Sequence, residues 1–167
     1  MGNPLWAPWR IDYILGPKEQ SNGCIFCGFP AASATERATR HVVAVGARAS
    51  VVLNRFPFAA GHLLVVPHAH VATLEELEAD DADALFRLVR ASSSRLTRAL
   101  KAEGLNVGVN QGAVAGAGVA AHLHVHVVPR WSGDTNFMPV LADARVVPQA
   151  LDATRDHLAK FFADLEA

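Results

Sequence analysis

The chain has 167 residues, 51% hydrophobic and 19% charged, with 15 Lys+Arg against 16 Asp+Glu and a formal net charge of −1. That length suits one domain spanning residues 1–167 with a core of its own, and the composition excludes a disordered or collagen-like chain. The charge balance excludes a generally basic nucleic-acid binder. No apolar run approaches the roughly 18–20 residues that span a bilayer, so neither nucleic acid nor membrane is expected as a partner. Residues 1–10 carry two prolines and no apolar signal core, and Trp6 stands where a myristoylation signal needs Ser or Thr. A cytoplasmic location follows as the expectation.

The opening segment holds Trp6, Trp9 and Tyr13 at helix-like spacing, limited by Pro8. A polar loop over 17–23 leads to a C-x-x-C, Cys24 and Cys27, and residues 31–40 are predicted to form one or two helical turns. Val-rich runs over 41–45 and 49–53, joined by Gly46-Ala47-Arg48, predict a β-hairpin. A loop with Pro57 leads to a third strand over 62–66, stopped by Pro67. The longest helix is expected over 74–102, with Thr73 as N-cap, Gly104 as the closing glycine and a possible break in the acidic 78–83 stretch. Strands over 105–109 and 122–128 follow, the second ended by Pro129, and a last helix is expected over 148–165. The predicted class is α+β: an antiparallel sheet meander with one long helix and a C-terminal helix packed on one side.

The unusual residues cluster. Six of the eight histidines fall into two groups, His62, His68 and His70, then His122, His124 and His126, and five of the twelve glycines precede the second group between Gly104 and Gly118. Two cysteines cannot build a disulfide framework, so the C-x-x-C points to a metal or a redox pair. The redox reading needs a thioredoxin-like βα context, which is absent. Cys24 and Cys27 supply half of a tetrahedral zinc site, and imidazole must supply the rest. His122-Leu123-His124-Val125-His126-Val127-Val128 alternates throughout, which in a strand sets three imidazoles on one face about 7 Å apart and the apolar residues on the other. That spread is too wide for one catalytic ion unless the strand bends.

H-φ-H-φ-H-φ-φ, with φ apolar, resembles the signature of the histidine-triad (HIT) family of nucleotide hydrolases and transferases. Leu53-Asn54 with Gly61-His62-Leu63-Leu64-Val65-Val66-Pro67 resembles the family's ribose-binding element, and Asn110-Gln111-Gly112 with Gly116 its phosphate loop. Cys24-Ile25-Phe26-Cys27 resembles the knuckle of its zinc-bearing bacterial members, here residues 24–30. The tail from Pro129-Arg130-Trp131 to Asn136-Phe137 and the opening Leu5-Trp6-Ala7-Pro8-Trp9-Arg10 resemble the branch that cleaves diadenosine polyphosphates.

The resemblance implies a dinucleoside polyphosphate substrate and a nucleotidyl-histidine intermediate on His124, resolved by water or phosphate. His126, His122 and His62 would assist. Ile25, Phe26, Leu53, Asn54, Asn110, Gln111, Gly116, Gly118 and Trp131 would contact the nucleotide, with Asn136 beside Trp131 and Arg130 near a phosphate. A structural zinc ion would be held by Cys24, Cys27, His70 and His122, with His68 the competing ligand, and two chains would pair as a homodimer. Alternatives are a nucleoside phosphoramidase of the Hint branch and a non-catalytic nucleotide-binding protein. Where family members commonly carry Gly-Gly-Ser or Gly-Gln-Ser, this chain has Gly116-Ala117-Gly118, which keeps the backbone donors and lacks the hydroxyl.

Overall fold

The computed structural model describes residues 23–134 and 150–165. Trp6, Trp9, Tyr13, Asn136 and the first residues of the expected C-terminal helix lie outside these. The Val-rich runs form β1 (Val42–Val45), β2 (Ala49–Leu53) and β3 (Leu63–Pro67), an antiparallel meander in which Val51 opposes Val65. β4 (Gly104–Val109) and β5 (Val125–Arg130) complete a five-stranded antiparallel sheet in the order β1-β2-β3-β5-β4. The last strand is thus inserted between β3 and β4, and it brings the histidine segment to the middle of the sheet.

Strand alternation sorts the side chains onto two faces. Val51, Leu53, Leu63, Val65, Val125 and Val127 face one side, where Leu85, Leu88, Val89 and Leu96 of helix α2 (Ala79–Leu100) and Leu158 of α3 (Leu151–Ala159) cover them. Val52, Leu64 and Val66 face the other side, where the knuckle residues Phe26 and Phe29 and the first residue of β1, Val42, complete a smaller cluster, with Cys24, Val45 and Val119 packed against it. The rest of that second face belongs to the histidines. A short helix, α1 (Ala34–Thr39), follows the knuckle and starts with a capping box between Ser33 and Glu36.

Several boundaries differ from expectation, each for a local reason. Thr73 does not cap α2. The Glu76 carboxylate accepts from the backbone N–H of Ala72 and Thr73, which closes a separate turn, and the helix begins at Ala79 with Asp80 and Asp81 in its first turn. Gly104 does not end the helix either: Lys101 takes the left-handed cap conformation (φ 51°), and Gly104 opens β4. β3 ends at Pro67 as expected, whereas Pro129 lies inside β5 rather than beyond it. Pro129 is tolerated because β3 pairs with β5 only as far as Val127, so its missing N–H faces no partner strand there. The predicted strand over 122–128 begins at Val125, because Leu123 N–H donates to the Val71 carbonyl instead of to a ladder.

Candidate active site

His122, His124 and His126 project from the sheet face opposite the helices. His122 is fully buried, His124 is 4% exposed, and the His124 and His126 rings lie 5.0 Å apart edge to face. The ring of Phe26 packs edge-on against both His122 and His124, at 5.4 Å from each. Burial pushes the His124 imidazole below the usual histidine range, and the same desolvation, reinforced by His124, pushes His126 down to about 4. Both rings are therefore neutral near pH 7.

Hydrogen bonding assigns the protons on those neutral rings. His124 Nδ1 lies 2.9 Å from the backbone carbonyl of His122; an oxygen can only accept, so Nδ1 carries the proton and Nε2 the lone pair. Nε2 has no hydrogen-bond partner among the described residues, so a nucleophilic nitrogen is presented to the site. The other pair is fixed from the loop between β2 and β3. Phe58 backbone N–H donates to His62 Nδ1 at 3.1 Å, so His62 Nε2 carries the proton and donates to His126 Nδ1 at 2.9 Å. His126 must then hold its proton on Nε2. That atom is buried and has no partner among the described residues, a donor left for something that enters the site.

The two cysteines complete a second cluster on the same face. Cys24 Sγ, Cys27 Sγ, His70 Nδ1 and His122 Nδ1 all lie within 4.8 Å of one another. His122 Nε2 donates to the Pro67 carbonyl at 2.9 Å, which leaves its Nδ1 unprotonated and aimed at the sulfurs, 3.2 Å from Cys24 and 3.6 Å from Cys27. Backbone carbonyls orient metal-bound imidazoles in this manner. Cys27 Sγ is 3.1 Å from His70 Nδ1, and Phe26 N–H donates to Cys24 Sγ. Two sulfurs and two imidazole nitrogens at these separations fit the four corners around one tetrahedral cation. Burial and the neighbouring Cys24 thiol push the Cys27 thiol up, a penalty that a cation would reverse. His68 is not part of this cluster, since its Nε2 pairs with Ser50 Oγ on β2.

The remaining expected residues are more dispersed. Asn54 Oδ1 accepts from Phe56 N–H and its Nδ2 lies 3.2 Å from His62 Nδ1, so Asn54 supports His62. Ile25 is half exposed on the knuckle, whereas Phe26 is buried. Leu53, expected beside the nucleotide, shares a face with Val51 and its side chain is buried in the helix-side core. Gln111 Oε1 accepts from Leu74 N–H, tying the glycine loop to the turn before α2. Asn110 leads into that loop, where Gly112 and Gly116 take φ of 80° and 86°, which L side chains adopt reluctantly, and Gly118 stays exposed. Arg130 is engaged by both carboxylate oxygens of Asp134 and by Asn106 rather than standing ready for a phosphate. Because β5 runs on through Arg130, Trp131 lies five residues beyond His126, about 17 Å along the strand, with its indole N–H on the Lys101 carbonyl. Phe58 was not anticipated; the aromatic Phe56-Pro57-Phe58 between Asn54 and His62 was the available signal.

Comparison with known proteins agrees with this arrangement. The HIT domain family matches residues 35–133. The AP-4-A phosphorylase of Mycobacterium tuberculosis is 36% identical over 163 residues, covering 95% of this chain and 84% of the relative. A hypothetical histidine triad nucleotide-binding protein from Sulfolobus tokodaii superposes with a TM-score of 0.65 at 26% identity, covering 85% of this chain and 93% of its own. A Zn-bound histidine triad family protein from Mycobacterium smegmatis superposes at 0.62 with 28% identity, covering 87% and 96%. A buried imidazole nucleophile beside an unpartnered imidazole donor, on a five-stranded antiparallel sheet, defines a histidine-triad site. The chain belongs to the HIT family.

Proposed function

We propose that the protein is an enzyme that cleaves dinucleoside polyphosphates of the diadenosine tetraphosphate type at an α-phosphate. One observation carries the reading: His124 Nε2 offers a lone pair on a ring 5.0 Å from that of His126, whose Nε2–H is buried and has no partner among the described residues. His124 Nε2 attacks phosphorus and forms a P–N bond while the bridging P–O bond breaks. The leaving oxygen keeps the electron pair and accepts a hydrogen bond from His126 Nε2–H. A second nucleophile, phosphate or water, then releases the nucleotide from His124. The Gly112–Gly118 backbone and the Asn110 and Gln111 amides bind phosphate oxygens, Ile25 and Phe26 border the base, and the second amide hydrogen of Asn54 meets the ribose. The relative from M. tuberculosis, an AP-4-A phosphorylase matched along 95% of this chain, supports the substrate class.

In this reading Cys24, Cys27, His70 and His122 hold one zinc ion. Its role is structural, because four protein ligands leave no open position. The Zn-bound relative from M. smegmatis supports the assignment. Two chains pair through β4, an edge strand whose Val107 is 50% exposed. Pairing also bears on Trp131: at about 17 Å from the histidines of its own chain, it reaches a distal base only across a dimer. No helix among the described residues is long and apolar enough to cross a membrane, and the unbridged cysteines suit a reducing cytoplasm.

The test is product analysis with diadenosine tetraphosphate, with and without inorganic phosphate. ADP plus ATP in phosphate alone identifies phosphorolysis, and AMP plus ATP identifies hydrolysis. No cleavage under either condition refutes the reading.

A further inference from the structure

The loop between β2 and β3 carries a residue with two separate holds on the donor histidine. Phe58 N–H donates to His62 Nδ1, which starts the chain of hydrogen bonds that leaves the His126 proton on Nε2. The Phe58 side chain covers the same pair: its ring lies 4.8 Å from the His62 ring at 32° and 6.0 Å from the His126 ring at 23°. Phe58 as a residue is 53% exposed. One face of its ring rests on two imidazoles, so the ring caps the His62–His126 pair from the side of the loop. Pro57 and the Asn54 carboxamide, which accepts from Phe56 N–H, stiffen the loop that presents it.

We propose that Phe58 is a positioning residue for leaving-group departure: its ring shields the His62–His126 pair from water and holds the His126 Nε2–H donor toward the bridging oxygen of the substrate. The inference rests on the proposed role of His126 in cleavage. Without the ring, water reaches the His62–His126 hydrogen bond and competes for both partners. The His126 donor then samples other orientations. The bond from His124 to phosphorus is made by a different ring, which the His122 carbonyl orients. The loss should therefore grow with the dependence of the leaving oxygen on hydrogen-bond donation. A leaving group that carries its own negative charge easily needs little help; a basic one needs much.

The probes are two aryl esters of AMP, p-nitrophenyl and phenyl, which share the attacked phosphorus and differ in the basicity of the departing oxygen. In Phe58→Ala, the ratio of kcat/KM for the nitrophenyl ester to that for the phenyl ester should rise about tenfold over wild type. Phe58→Leu, which restores apolar cover, should return the ratio to within about twofold of wild type. A ratio unchanged in Phe58→Ala, with both esters slowed alike, overturns the inference and leaves the proposed function standing. Wild-type protein that cleaves neither the esters nor diadenosine tetraphosphate overturns both. A Phe58→Ala chain that fails to fold leaves Phe58→Leu and Phe58→Val to be compared. A larger ratio in the smaller side chain supports the inference, and equal ratios overturn it.

Discussion

His122 and His124 are joined by a 2.9 Å hydrogen bond from the ring Nδ1 of one to the backbone carbonyl of the other, two residues earlier. The same His122 sends its own ring into the cysteine cluster and anchors its Nε2–H on Pro67. One residue therefore fixes the His124 tautomer and closes the cysteine–histidine cluster, so the two centres are linked through a single peptide unit.

His124→Ala should lower turnover of diadenosine tetraphosphate by at least about 10³-fold while nucleotide still binds. Because His124 is buried against Phe26, the substitution also opens a small cavity. A stability loss of about 1–2 kcal/mol is expected. Denaturant unfolding and trapping of labelled nucleotide on the protein check both parts. A labelled adduct on His122 or His126 would contradict the assignment.

Metal-replete protein should contain one zinc per chain by elemental analysis. Stripping it should lower Tm markedly, since a ligand held at a thousand times its Kd contributes about 4 kcal/mol. Cys27→Ala should reproduce the loss, and His68→Ala should not, because His68 pairs with Ser50 instead. Calorimetry with and without chelator makes the comparison.

Stability should fall as pH is lowered from about 6.5 toward 4. His126 is held down to about 4 in the folded chain by burial and by His124, against about 6.5 when unfolded. Between those values the unfolded chain binds the proton and the folded chain does not, so stability is complete above the upper value, declines through the window and levels below the lower one. Protonation of His126 Nδ1 would also set two N–H groups against each other at the His62 contact. His126→Gln should flatten this part of the Tm-against-pH curve.

Gly61→Ala should destabilise by about 1–3 kcal/mol. Gly61 has φ 78°, and an added Cβ would fall 2.3 Å from Leu100 Cδ1 on α2. The substitution strains the last turn before His62 and should shift the urea midpoint downward.

Val107→Lys should convert a dimer to a monomer by sedimentation, because a charge on the exposed β4 edge blocks strand pairing. If Trp131 acts across that dimer, the same variant should raise KM for diadenosine tetraphosphate. An unchanged dimer would move the interface elsewhere.

The sheet faces were legible because the signal is local. Alternation across residues 122–128 already separates imidazoles from Leu123, Val125 and Val127, and the Val-rich hairpin needs only neighbouring residues. The protonation states were not legible. They depend on Pro67, His122 and Phe58 backbone groups, which reach their histidines only after the sheet has formed. The α2 start was obscured by Glu76, whose carboxylate serves Ala72 and Thr73 in a turn that sequence patterning reads as helix. The end of β5 was not legible because Pro129 looked like a strand end; only the shorter reach of β3 shows why the strand continues through Arg130.

Strand β5 and its approach have a further property that follows from parity. Leu123, Val125 and Val127 enter the helix-side core, and His122, His124 and His126 enter the opposite face. A saturation library across these six positions should separate into two phenotypes that alternate along the chain. Changes at odd numbers would be recovered by lower temperature or a compensating core substitution. Changes at His124 and His126 would persist in well-folded protein, and those at His122 would belong to both sets.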